Sequence, residues 1–161
     1  MDDFNIIYQK YAGTVKKYIM SLGADYHLSD DITADTFFKA LKNIDKFDGK
    51  HHILTWLCTI AKRTYFDYLK RKENLVLPLD DDLIIYDSRM ESDIENDEQK
   101  VLIHKAIIQL ESPYKDVIYL RIFADLSFAE IGQILSKSEN WARVTFYRGK
   151  IKLKEALENE I

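Results

Sequence analysis

Trp56, Thr59, Arg63, Phe66 and Lys70 recur at steps of 3, 4, 3 and 4, and Lys62, Arg71 and Lys72 stand beside them. No two of these groups make a nucleophile with its base, and none forms a metal-ligand set. What they can do is bind: aromatic planes for unpaired bases to stack on, interleaved with cations for phosphates. The same spacing suits aromatics packed on a neighbouring helix, and spacing alone leaves both uses open. A second set lies toward the other end of the chain. Arg143, Tyr147, Lys150 and Lys154 follow steps of 4, 3 and 4, with Arg148 and Lys152 flanking. The opposite line is Ala142, Phe146, Gly149 and Leu153. A basic ridge on a helix entered through a tight turn fits the major groove of DNA, about 12 Å wide. A solvated helix end, with cations at its negative dipole pole, would carry the same residues.

Both ridges need helices to hold them, and apolar spacing predicts those helices. Phe4, Ile7, Tyr8, Tyr11, Val15, Tyr18, Ile19 and Leu22 form one stripe, which Gly23 stops. A second helix is expected from Ser29 as N-cap, with Asp30 and Asp31 at its positive pole and Ile32, Phe37, Phe38 and Leu41 buried. Phe47 to His52 reads as a loop around Asp48-Gly49. A third helix, about Ile53 to Lys72, buries Ile53, Leu57, Ile60, Ala61, Thr64 and Tyr68.

In the second half, Val101, Leu102, Ala106, Ile107 and Leu110 make a short amphipathic helix. Ser112-Pro113 is a start signal for the next, with Val117, Ile118, Leu120 and Ile122 inward. Ser127-Phe128-Ala129-Glu130 is a capping box opening a helix that buries Phe128, Ile131, Ile134 and Leu135. After the turn Ser136-Lys137-Ser138, a last helix runs from about Glu139 to Leu157. Two short helices across a tight turn, the second basic on its outer face, describe a helix-turn-helix.

Charge distribution separates these halves. The 161 residues are 47% hydrophobic with a net charge of -4, which taken as a whole argues against a nucleic-acid ligand. Yet residues 1–72 carry +3, residues 73–100 carry -8 and residues 101–161 carry +1. The acidity sits in one stretch that repels itself and buries little, which predicts a linker. It has no Gly to turn an EF-hand loop, so no Ca²⁺ site is expected there. With only 5 Gly and 2 Pro, the expected fold is all-α. Two small helical domains, residues 1–72 and 99–161, are joined by an acidic flexible linker at 73–98. The lone Cys58 excludes a disulfide framework and a Cys-based zinc cluster, and it fits a reducing cytoplasm. His51-His52 reads as a polar loop, because adjacent residues cannot share one helical face. No apolar run reaches the roughly 18–20 residues of a membrane span, and Met1-Asp2-Asp3-Phe4 is acidic where an export signal is basic. A cytoplasmic protein with neither metal nor cofactor is expected.

Together the two halves resemble a known family. Asp30-Asp31-Ile32-Thr33-Ala34-Asp35-Thr36-Phe37 is similar to sigma region 2.2. Phe47 through Trp56-Leu57-Cys58-Thr59-Ile60-Ala61 to Asp67-Tyr68-Leu69-Lys70-Arg71-Lys72 resembles regions 2.3 and 2.4, and Leu110 to Leu157 resembles region 4. The chain thus resembles an extracytoplasmic-function sigma factor, the minimal sigma-70-type subunit of bacterial RNA polymerase. Ser138 to Arg148 is similar to the recognition helix of an envelope-stress subgroup in low-GC Gram-positive bacteria. Arg63, Thr33, Ala34, Gly132 and Ser136 depart from the family's usual Asn, apolar residue, Gln, Ala and Gly.

The resemblance implies roles. Asp31, Asp35 and Phe38 would dock on the clamp of core RNA polymerase, with the flap as a second contact of the subunit. Asp48, Lys50 and His51 in the loop, with Trp56, Lys62, Arg63, Phe66, Lys70 and Arg71 on the helix, would capture the melted −10 strand. The −35 duplex would be met by Ser138, Glu139, Asn140 and Trp141 at the start of the last helix. Arg143, Val144, Tyr147, Arg148 and Lys150 would continue that contact. The implied partners are core polymerase, promoter DNA and a membrane-anchored anti-sigma factor. A rival is an autonomous helix-turn-helix regulator, which would leave the Trp56 stripe idle. An enzyme built on the acidic cluster lacks any nucleophile–base–orienter set.

Overall fold

The structure, a computed structural model, describes residues 2–49, 52–73 and 98–159. It divides into two compact units, one within Met1–Leu83 and the other within Ile84–Ile161. The described residues form seven α-helices and one 3-10 turn, with no strand among them. The acidic stretch at residues 74–97 lies outside the described residues. Its expected ends, Glu73 and Glu98, are helical.

The first unit packs α1 (Asp2–Ser21), α2 (Tyr26–Lys42) and α3 (Ile53–Glu73) against one another, with the 3-10 turn Ile44–Lys46 between the last two. Val15, Tyr18 and Ile19 are fully buried, as the first stripe predicts, and Gly23 ends that helix region at φ +116°. The start of α2 differs from expectation. Asp25, not Ser29, is the N-cap, its carboxylate accepting from the Leu28 N–H at 2.7 Å. Ser29, one turn inside, is buried. Asp30 reaches across to Lys16 at 2.7 Å, and the Lys16 ammonium lies 3.3 Å from the centre of the Tyr26 ring. Burial alone would lower the Lys16 pKa, but the bonds to Asp30 and Tyr26 outweigh it and raise it.

Two residues expected inside are outside: Phe38 is 58% exposed and Leu41 39%. The inner face of α2 is instead Ile32, Thr33, Thr36, Phe37 and Ala40. Thr36 can line it because its buried hydroxyl finds a partner on its own helix, Oγ1 donating to the Ile32 carbonyl. The rings of Phe4 and Tyr8 close edge-on over Phe37, at 6.2 and 4.9 Å. On α3 the inner face is rotated from the expected line: Leu54, Leu57, Cys58, Ala61 and Tyr65 are buried, whereas Ile53, Ile60 and Tyr68 are only half-buried. Enclosed in this apolar core, the Cys58 thiol is pushed up to about 12 and is unreactive.

The second unit contains α4 (Glu98–Gln109), α5 (Tyr114–Ile122), α6 (Phe128–Leu135) and α7 (Glu139–Asn159). Ala106, Ile107, Val117, Ile118, Leu120, Ile131 and Ala142 are essentially inaccessible, while Leu102 and Ile122, expected inside, are about half exposed. Ser112 does not cap α5; Pro113 occupies that position, with no side-chain hydrogen bond. The chain is instead held there by the Lys115 N–H donating to the Glu111 carbonyl at 3.2 Å. Lys115 and Asp116 are buried together at the start of α5. Burial dominates, and the Lys115 pKa is lowered despite the neighbouring carboxylate. At Gly149 a Cβ would stand 2.7 Å from Ile118 Cδ1, so α7 crosses α5 closely enough that a larger residue there would displace the Ile118 side chain.

Candidate nucleic-acid interfaces

In the first unit the candidate surface begins with the N-terminus of α3. The His52 Nδ1 accepts from the Leu54 N–H at 3.0 Å, and its carbonyl accepts from the Thr55 N–H. The His52 side chain therefore caps the helix that carries Trp56. The Trp56 ring is half-buried and lies 5.3 Å from the Phe47 ring, tilted by 40°. Beyond it opens a hollow of about 350 Å³, lined by Lys39, Asn43, Lys46, Trp56, Ile60, Arg63, Thr64 and Asp67. Its polar wall is ordered. Lys39 Nζ donates to Thr64 Oγ1 at 3.1 Å, Thr64 donates to the Ile60 carbonyl, and Asn43 Nδ2 donates to the Lys39 carbonyl at 2.8 Å.

The expected stripe therefore separates into two lines. Trp56 and Arg63 line the hollow, whereas Phe66, 42% exposed, is not among its lining residues; the Lys62 ammonium lies 5.9 Å from the Phe66 ring. Lys70 and Arg71 are exposed near the end of α3, and Asp48 is exposed in the loop. Lys50 and His51 lie outside the described residues. Lys39, Asn43, Lys46, Thr64 and Asp67 escaped sequence reasoning. The available signal was the basic last turn of α2, which also suits a helix dipole. On the outer face of α2, Asp31, Asp35 and Phe38 are exposed at helical spacing, with the Lys42 ammonium 4.7 Å from the Phe38 ring.

The second unit presents a ridge. The capping box is complete: the Ser127 N–H donates to Glu130 Oε2 at 3.1 Å, and the Glu130 N–H donates to Ser127 Oγ at 3.2 Å. α6 ends on Ser136 in the left-handed region, φ 58°, and the Lys137 N–H returns to the Gly132 carbonyl at 2.7 Å. That return brings the turn so close that a Cβ on Gly132 would meet the Lys137 carbonyl oxygen at 2.6 Å. Glycine there costs about 1 kcal/mol of helix propensity, and the turn requires it. Ser138 Oγ accepts from the Trp141 N–H at 3.0 Å and caps α7.

Along α7, Ala142, Thr145, Gly149 and Leu153 are buried, while Glu139, Asn140, Arg143, Val144, Tyr147, Arg148 and Lys150 are exposed. Trp141 is half-buried beside Lys137. Arg143 pairs with Glu139 at 3.1 Å. Lys152 is drawn off the basic ridge: it lies 3.6 Å from Glu111 and 5.1 Å from the Tyr114 ring centre.

The Sigma-70 region 2 family matches residues 7–74, and the Sigma-70 region 4 family matches residues 100–153. The RNA polymerase sigma factor SigV of Bacillus subtilis is 31% identical over 118 residues, covering 73% of this chain and 69% of the relative. The chain belongs to the extracytoplasmic-function sigma factors. The sigma factor SigM of Bacillus subtilis is 27% identical over 150 residues, spanning 92% of this chain and 91% of the relative. The solved sigma factor RpoE, in complex with the anti-sigma factor NepR from Bartonella quintana, has the same fold. Its TM-score is 0.77 at 17% identity, covering 98% of both chains. CnrH, in complex with the cytosolic domain of CnrY, gives 0.71 at 18% identity, over 98% of this chain and 89% of CnrH. As an RNA polymerase sigma factor, the chain serves transcription initiation. None of its described helices is long and apolar enough to cross a membrane.

Proposed function

We propose that this sigma factor divides promoter recognition between its two units, each using the surface described above. The hollow beside Trp56 and Arg63, with the exposed end of α3, holds the unpaired −10 strand; α7 reads the −35 duplex. Asp31, Asp35 and Phe38 on α2 dock on core polymerase. The observation that carries this reading is the pairing of an aromatic-walled, cation-rimmed hollow with a capped helix-turn-helix in one chain. Melted DNA needs surfaces that replace lost stacking, and duplex DNA needs a rigid rod in its groove. On this reading the protein acts in the cytoplasm, by binding rather than by chemistry of its own. Asp48, Lys50 and His51 extend the −10 contact.

Two solved sigma factors of this fold are held by an anti-sigma factor or by the cytosolic domain of a partner. We infer the same kind of control here, by an anti-sigma factor anchored in the membrane. The deciding experiment is transcription in vitro with purified core polymerase and a promoter library. Start sites should appear only when this protein is added, and the templates used should share paired −10 and −35 elements. Tight, selective binding to promoter duplex by the protein alone would favour an autonomous regulator instead.

A further inference from the structure

Phe128 is the first residue of α6, and its ring gathers cations from two other helices. The Arg121 guanidinium carbon lies 4.5 Å from the ring centre and that of Arg143 lies 5.5 Å from it. Phe146 and Tyr147 of α7 reach the same ring at 5.4 and 6.5 Å. Arg121 is also tied to the backbone, its Nη1 donating to the Leu126 carbonyl at 2.9 Å. Arg143 has the ring and the Glu139 carboxylate.

We propose that Phe128 is a positioning residue for −35 recognition. Its ring holds the Arg143 guanidinium in the plane from which it enters the groove, and so sets base preference without contacting a base. This rests on the reading of Arg143 as a base reader. A guanidinium recognises a base edge through two parallel donors, so it discriminates only in one plane. A free arginine samples many rotamers, whereas one resting on an aromatic face samples few. Glu139 does not prevent the transfer to DNA, because an exposed ion pair is weak. Arg121, anchored to Leu126, steadies the ring from the α5 side.

The test uses holoenzyme on a promoter library randomised position by position over the −35 element. Arg143→Ala should erase preference at one position or two. Phe128→Leu, which keeps apolar bulk but removes the ring, should lower discrimination there by about two- to five-fold. Affinity for non-specific duplex should stay unchanged, Phe128→Tyr should restore the preference, and Phe128→Leu should add nothing in an Arg143→Ala background. If Arg143→Ala alters no position, the base-reader assignment falls and this inference falls with it. If Arg143→Ala relaxes a position that Phe128→Leu leaves sharp, only the present inference is overturned. Equal weakening at every position, or no rescue by tyrosine, also overturns it, since either marks a merely structural ring. Should Phe128→Leu fail to fold, ring-current shifts in the unaltered chain decide. Arg143 guanidinium signals shielded relative to Arg148 support the role, and unshielded signals refute it.

Discussion

On α3 the binding groups line a hollow, and on α7 they stand on a ridge. In the hollow, Lys39 and Asn43 are tied to neighbouring atoms, and Trp56 rests against Phe47. On the ridge, Tyr147, Arg148 and Lys150 are exposed, and so is Arg143, its guanidinium near the Phe128 ring and the Glu139 carboxylate. The difference follows from the ligands. A base removed from its stack loses partners on both faces, and only a shaped site can replace them. A duplex keeps its own stacking and asks for reach and charge on a rigid rod. Order is thus invested in a network of side chains at one surface, and in backbone caps with the single Phe128–Arg143 contact at the other.

The strongest way to break this comparison is to remove the wall of the hollow. Trp56→Ala should weaken open-complex formation by about 1–3 kcal/mol per stacked base while leaving polymerase binding near normal. Permanganate footprinting of the melted region reads the first quantity, and co-purification with core enzyme reads the second. Full reactivity in a folded Trp56→Ala protein would return the tryptophan to a packing role. Phe66→Ala, whose ring does not line the hollow, should have a smaller effect.

The units should also respond oppositely to alkali. Cys58 has a folded pKa near 12 against an ordinary value near 9, so the folded form retains a proton that the unfolded form loses. Its stabilising contribution is complete below pH 9 and then falls by about 1.4 kcal/mol per pH unit. Lys115 is lowered in the folded state, so in approaching its ordinary value the unfolded form binds more protons, and stability rises with pH. Trp56 and Trp141 lie in different units and report them separately. Urea melts from pH 8 to 10 should lower the midpoint seen by Trp56 and raise that seen by Trp141. Cys58→Val should flatten the first trend; a decline that persists unchanged in that variant would refute the assignment.

How far these features were legible in the sequence depends on whether a local pattern or a tertiary approach creates them. The capping box at Ser127, the stop at Gly23 and most of the inner line of α7 are local, and the structure carries them as expected: Ala142, Gly149 and Leu153 are buried, with Phe146 only half-buried among them. The start of α2 was misplaced because Asp25 and Ser29 are both good caps, and only tertiary burial of Ser29 decides between them. The hollow was half visible. Trp56 and Arg63 share a helix and hence a periodicity, whereas Lys39, Asn43 and Lys46 join them only when α2 packs on α3. Phe128 looked like core; its use by Arg121 and Arg143 requires three helices to meet.

Gly132 sharpens the comparison at the backbone level. By propensity alone, Gly132→Ala should stabilise α6 by about 1 kcal/mol. The new Cβ would press on the Lys137 and Ser138 carbonyl oxygens at 2.6 and 2.9 Å, and overpacking of this kind costs about 1–3 kcal/mol. The net expectation is a loss of about 1 kcal/mol, seen as a melting temperature lower by a few degrees, together with weaker −35 binding as α7 shifts. A more stable protein with unchanged −35 binding would mean that the turn yields freely.

The smallest effect, and the one that bears most directly on the hollow and the ridge, is in salt dependence. Each phosphate neutralised on duplex DNA contributes a slope of about −0.9 to log affinity against log salt, and each on a single strand about −0.7. Lys154 is exposed on α7 and Lys70 on α3, and neither lines the hollow. With holoenzyme on intact duplex carrying the −35 element, Lys154→Ala should shallow the slope by about 0.9 for every promoter sequence alike. Lys70→Ala should leave that slope unchanged. On a fork template with the −10 strand already unpaired, Lys70→Ala should shallow the slope by about 0.7. Adding Lys154→Ala to it should then subtract a further, independent increment, because the two cations neutralise different phosphates. If Lys70→Ala altered the duplex slope as much as the fork slope, α3 would be tracking paired DNA. The hollow beside it would then have no unpaired strand to receive.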